Sequence, residues 1–260
     1  MILRRVIEHV RRQEWTAIGI DFVIVVFGVF FGIQVANWNE DRLTRAKAEV
    51  FTARLKEDLQ AEAWRYQFLL AYYRDVRDAT EAAADALSGK TPLSNEAFLV
   101  HAYRASQYKQ GASRRATYDE LISTGNIGLI EDRKLLNLAV RGYSVVTIDN
   151  TVKEGIESPF RALFRMAVPN DVQRALASQC GDRYILPGDY TNFDHVIDYP
   201  CESGLPAADI DAAADALRVD PQTLRYLRLR VADLETRLAD LTGNNRDVLE
   251  GYLEIAKEKP

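Results

Sequence analysis

The stretch Phe22 to Arg42, FVIVVFGVFFGIQVANWNEDR, decides how this chain is built. It is apolar as far as Ala36 and turns polar within three residues. No charge falls between Phe22 and Asn39, and the apolar run reaches back to Ile18 with only Asp21 interrupting it. Trp15 and Trp38 bracket the run, 23 residues apart. At about 1.5 Å per residue that is about 35 Å of helix, the thickness of a bilayer's hydrocarbon core plus the interfaces where Trp prefers to sit. A soluble core helix rarely carries so long an apolar surface all the way round.

Two other readings compete with a permanent anchor. A cleaved secretory signal shares the basic start (Arg4, Arg5, Arg11, Arg12) and the apolar stretch. It also needs small residues at the cleavage site, and Gln34-Val35-Ala36 supplies no A-x-A pattern. Cleavage after the span would release a secreted protein beginning near Asn37. The expectation is an uncleaved signal-anchor: residues 1–14 as a cytoplasmic tail, 15–38 as a transmembrane helix and 39–260 as an extracytoplasmic domain. Positive charges do not orient it, because Arg42, Arg45, Lys47, Arg54 and Lys56 follow the span as closely as four arginines precede it. The cysteines do so indirectly. Cys180 and Cys201 are the chain's only two, and they suit one disulfide in an oxidising compartment. That places the N-terminus inside and the large domain outside a bacterial inner membrane.

Within the span, Gly28 and Gly32 form G-x-x-x-G, which allows close approach of a second helix. Helical pairing and a non-interacting span both fit that motif. Asp21 lies near the end of the span, where a carboxylate either reaches the interface or contacts a partner helix.

Here the residues meet a family. Ile18-Gly19, Asp21, the Val/Ile-rich run, Gly28, Gln34 and Asn37-Trp38-Asn39-Glu40-Asp41-Arg42 resemble the start of an uncharacterised bacterial family of single-pass membrane proteins. In that family an acid opens the span and Q-x-x-N-W-N-E-[ED]-R closes it. A second segment, Tyr118 to Asp132 (YDELISTGNIGLIED), is similar to the family's Y-x-x-L-x-x-[ST]-G-N-[IL]-x-L-I-x-[DN]. Both motifs lie in the first half of the chain. Ile20 departs from the usual Gly before the acid, and the cysteine-bearing segment after Pro169 has no counterpart. The resemblance implies membrane placement and a helical outer domain of unknown function, and it carries over no catalytic residue.

Beyond the span, Leu43 to Leu87 has a near-3.6 apolar period without internal Gly or Pro and reads as one long helix. Continuous with the span it would lift the domain off the bilayer by about 70 Å; the expectation is that it folds back along others as a bundle helix. Further helices are expected over Leu93–Tyr108 with Ser94 as cap, over Arg114–Thr124, and from Asp132 to about Phe164. Gly125 and Asn126 read as a tight joint between helices, with a ligand site there as the sharper alternative. Pro169 to Pro206 is rich in Pro, Gly and aromatics (Tyr184, Tyr190, Phe193, Tyr199) and reads as a loop-rich insert. A disulfide closing about 20 residues of it would contribute on the order of 3 kcal/mol. Asp209–Leu217 is a short helix, and Asp220-Pro221 opens a longer one that Gly243 ends, with Asp247 opening the last. In the longer helix Leu224, Leu227, Val231, Leu234, Leu238 and Leu241 keep heptad spacing for under three heptads. A helix of the domain and an intermolecular coiled coil both fit. The expected fold is all-α: a transmembrane helix, then an antiparallel helical bundle with one loop-rich, disulfide-closed insert.

Chemistry is sparse. Net charge is −5 with interspersed signs, which excludes the basic field that nucleic acid needs. There is no G-x-S-x-G, H-E-x-x-H, phosphate loop or C-x-x-C, and the only histidines are His9, His101 and His195. Asp189, Asp194, His195 and Asp198 in the insert form a weak metal-ligand candidate that matches no spacing template. The expectation is no cofactor and no catalytic activity: an interaction, scaffold or sensing module of the cell envelope. Its partners would be the lipid bilayer, an envelope protein or small ligand, and a second copy through the span or the C-terminal heptad helix. The alternative is an envelope enzyme with metal-assisted hydrolysis in the 189–198 insert.

Overall fold

A computed structural model describes residues 7, 15–191 and 195–258, apart from the side chains of Trp15 and Ala17. The proposed tail, His9, Phe193 and Asp194 therefore lie outside the described residues or nearly so. Among the described residues the chain is helical and has no strand.

The helix that opens at Trp15 does not stop at Trp38. One helix, α1, runs from Trp15 to Leu87, 73 residues and about 110 Å. The expected break between the span and the Leu43–Leu87 helix is absent because nothing there can break a helix. From Ile33 to Ser88 there is neither Gly nor Pro, and Asn37-Trp38-Asn39-Glu40 continues helical. So α1 does not fold back on its neighbours; they fold back on it. It stops at Gly89, whose φ of +75° only Gly adopts cheaply.

Local signals place the other helices: α2 (Asn95–Ala105), α3 (Ala116–Ser123), α4 (Arg133–Gly142), α5 (Thr147–Ile156), α6 (Pro159–Ala167), α7 (Asn170–Cys180), α8 (Ala207–Val219), α9 (Pro221–Ala239) and α10 (Arg246–Ile255). Ser94 accepts from the Ala97 N–H, Asp132 from Lys134 and Leu135, and Asp220 from Gln222, all as caps. Three expectations need correction. The Asp132–Phe164 helix is three helices, because Gly142 ends α4 and Ser158-Pro159 restarts the chain with Pro in the first turn. The region after Pro169 begins with α7, whose Val172, Leu176 and Cys180 share one buried face at i, i+4, i+8. The loop-rich part starts only at Gly181. Last, Gly243 does not end α9; a π-helical turn over Asp240–Asn244 carries the chain to α10.

Two core clusters are stacked along α1. The nearer to the span holds Phe51, Leu55, Leu59, Tyr66 and Tyr73 of α1 with side chains of α3, α4, α5, α9 and α10. The farther holds Ala83 and Ala84 with α2, α6, α7, α8 and the start of α9. Helix α9 runs opposite to α1 and serves both: Leu227 packs with Ala83's cluster, while the Tyr66 hydroxyl donates to the Leu241 carbonyl at 2.8 Å. Its heptad residues Leu227, Leu234 and Leu241 are buried in the protein's own core. Leu59→Ala, at a fully buried α1 position, is expected to lower unfolding free energy by about 2–5 kcal/mol. Exposed Met166→Ala should stay within about 0.5 kcal/mol, both read by denaturant titration.

Candidate functional site

The insert, residues 181–206 after α7, is where loop backbone meets α1 and α2. Cys180 and Cys201 form a disulfide with Cα atoms 5.5 Å apart, tying the end of α7 to the insert's return. Inside that loop the Arg183 N–H donates to the Val196 carbonyl at 2.8 Å, and the Tyr199 hydroxyl to the Gly181 carbonyl at 2.6 Å. Val196 and Ile197 plug fully buried into the core beside α1. The described residues of the insert are held through this plug, these bonds and the disulfide.

Polar contacts fix it to the helices. Asp182 accepts from the Tyr72 hydroxyl at 3.1 Å and from Lys109 Nζ at 2.9 Å. The Trp64 indole N–H donates to the Asp189 carbonyl at 2.9 Å. On α2, Arg104 donates to the Tyr199 carbonyl at 2.6 Å, and Asp198 lies 3.6 Å from its guanidinium. Glu96 accepts from the N–H and hydroxyl of Ser203, which hold its carboxyl below the usual range.

Two clefts result. The first, about 660 Å³, is aromatic and includes Trp64, Arg65, Gly111, Pro187 and Tyr190. Trp64 stacks on Phe68 at 4.9 Å between centroids. Arg65 donates to the buried Glu62 at 3.0 Å and to the Gly111 carbonyl at 3.2 Å. A Cβ on Gly111 would come within 3.3 Å of the Arg65 side chain, a tight approach that Arg65 would have to yield to by a few tenths of an ångström. The second cleft, about 850 Å³, is basic and includes His101, Arg104, Arg183, His195, Asp198 and Tyr199. The Arg183 guanidinium lies 3.6 Å from the centre of the Tyr199 ring. His101 Nδ1 and Arg104 Nε are buried without a hydrogen-bond partner. Burial, and then the neighbouring Arg104, hold the His101 imidazole below its ordinary pKa.

The predicted metal candidates do not converge. Asp194 lies outside the described residues. Asp189 accepts from its own loop at Thr191, and Asp198 faces Arg104. Among the described residues no group of three or more His, Cys, Asp or Glu is placed to hold a metal. The Gly125-Asn126 joint is a helix stop. Gly125 has φ +68°, and its N–H and that of Asn126 donate back to Ile122 and Leu121. Asn126 Oδ1 then accepts from Lys47 of α1 at 3.2 Å. At the span, Trp38 is exposed and space around Gly28 and Gly32 is open. Sequence reading assigned no role to Trp64, His101, Arg104 or Arg183, which come from three separated segments, His101 and Arg104 lying one turn apart on α2. The one available signal was Arg104, a charge among Leu99, Val100, Ala102 and Tyr103 on a helix.

No family model, curated protein or solved structure matches this chain. The double variant Cys180→Ser/Cys201→Ser is expected to lose about 2–4 kcal/mol of stability. Limited trypsin digestion should then cut at Arg183 at least tenfold faster than in the wild type.

Proposed function

We propose that the chain is a single-pass, signal-anchored protein of the bacterial inner membrane with its N-terminus inside. Its antiparallel helical bundle then works outside as an interaction or sensing module of the envelope, not as an enzyme. The observation that carries this reading is α1: one unbroken helix joins an apolar segment, none of it buried, to the core that holds the insert. The disulfide and the N-W-N-E-D-R resemblance support the same placement. Trp64 and Tyr72 on α1 contact the insert directly, so a ligand seated against the insert bears on the helix that enters the membrane.

We further read α1 as the site of pairing with a second copy. Between Trp38 and Arg54 its apolar residues fall on two faces. Ala48 and Phe51 face the protein's own domain, continued by Leu55 and Leu59. Leu43, Ala46, Val50 and Ala53 are all exposed and spaced 3, 4, 3. At 100° per residue this bare stripe lies roughly 160° from the covered one, on the same side as Gly28 and Gly32. Two copies in one membrane are parallel and level, the arrangement in which a 3-4 stripe meets its own equivalent.

Two measurements test these readings. A cysteine at Tyr184, an 83% exposed position, should react with a membrane-impermeant maleimide in intact spheroplasts. Labelling only after lysis places the domain inside and ends the topology proposal. Oxidative cross-linking should give dimers from Val50→Cys and not from Thr44→Cys, an exposed position on the far side of α1. Equal yields from both would reject the stripe as the contact.

A further inference from the structure

We propose that the basic cleft between α2 and the insert binds a small soluble anion, a molecule carrying a carboxylate or phosphate group. The proposal deepens the reading of the insert as a binding surface and rests on it only for the compartment.

The whole chain is acidic, yet two Arg and two His converge on this cleft, with Asp198 as the only acid in its lining among the described residues. The two arginines differ. Arg104 is buried and answered: it bonds the Tyr199 carbonyl, lies 3.6 Å from Asp198 and feels Asp75. Arg183 is exposed, and among the described residues no carboxylate lies within ion-pair distance of it. An unpaired surface arginine ordinarily samples many rotamers in water. This one has its guanidinium carbon 3.6 Å from the centre of the Tyr199 ring, and its backbone N–H is tied to Val196 inside the disulfide loop. A guanidinium held over a ring keeps N–H donors for an anion, and part of its ordering cost is met before binding. The imidazoles of His101 and His195 share the cleft. The partnerless His101 Nδ1 and Arg104 Nε beneath the surface mark the same polar excess. A cleft of about 850 Å³ is larger than a bare anion, and Tyr184 and Ile185 offer its ligand an apolar wall.

The fold also limits the source. Asp182, next to Arg183, is bonded to Tyr72, which is 34 residues past Trp38 on α1. That is about 50 Å along the helix, beyond reach of the headgroups at the Trp38 interface. The ligand is therefore soluble and not a lipid of the anchoring membrane.

Isothermal titration of the full chain in neutral detergent, with inorganic phosphate and separately with succinate, tests this. Saturable binding of at least one anion is expected. Arg183→Gln should weaken it at least tenfold, and Arg183→Lys should weaken it less, keeping the charge without the fork. Arg174→Gln, on exposed α7 surface, should bind as the wild type. Unchanged melting temperatures without anion would show the variants folded. The proposal is overturned by no saturable binding of either anion, by equal affinity in Arg183→Gln, or by equal loss in Arg174→Gln. Binding seen only with phosphatidylglycerol vesicles would overturn it as well. Failure here leaves the topology and cross-linking outcomes untouched.

Discussion

Everything in this structure depends on the continuity of α1. A helix 73 residues long satisfies its own backbone, but it leaves its side chains to be covered by something else. Its first third is covered by nothing in the protein and suits hydrocarbon. Its later part is apolar on one side at Phe51, Leu55 and Leu59 and all round over residues 68–73, and there the rest of the chain supplies the cover, each buried Leu or Phe contributing about 1.5–3 kcal/mol. The domain is thus assembled along a rod. Two stacked clusters replace a single central core, and α9 runs back along the rod to join them.

Buried charges on the rod and on the helices around it each meet at least one polar partner. Glu62, nearly inaccessible, meets Arg65 one turn away and the Arg114 N–H. Arg230 is almost fully buried on α9, where it reaches the Gln107 carbonyl at 3.3 Å past Gly155, the residue whose missing side chain makes room. Arg104 does the same for the insert through the Tyr199 carbonyl. Such buried charges cost desolvation and return it only with good geometry, so they serve to specify which segments meet. Surface pairs such as Arg246–Glu250 have no such role and contribute little.

The insert shows how a loop-rich segment is tied to helices. Val196 and Ile197 anchor it from below, the disulfide closes it, and Asp182, Asp189 and Tyr199 tie it to α1 and α2. Both clefts are consequences of that docking: one wall is a rigid helix and the other a strapped loop. A site of this kind can change its specificity by loop substitutions while the rod stays as it is.

Much was legible in the chain itself. The uncharged run from Phe22 to Asn39 specified an apolar helix because apolar composition and length are local properties. Ser94, Asp132, Asp220-Pro221 and Gly125 marked helix ends because caps and positive φ act within a few residues. The cysteine pair was legible because the two were alone. Local signals misled where neighbours decided. The Asp132–Phe164 period hid two breaks, and α7 was obscured by the Pro and Gly around it. Only the tertiary structure decided that the α9 heptad turns inward, that Asp189 and Asp198 serve the loop's own bonds, and that Trp64, His101, Arg104 and Arg183 border two clefts. Trp64, the His101–Arg104 pair and Arg183 stand 37 or more positions apart and share no common period, and their meeting is set by which faces of α1 need cover.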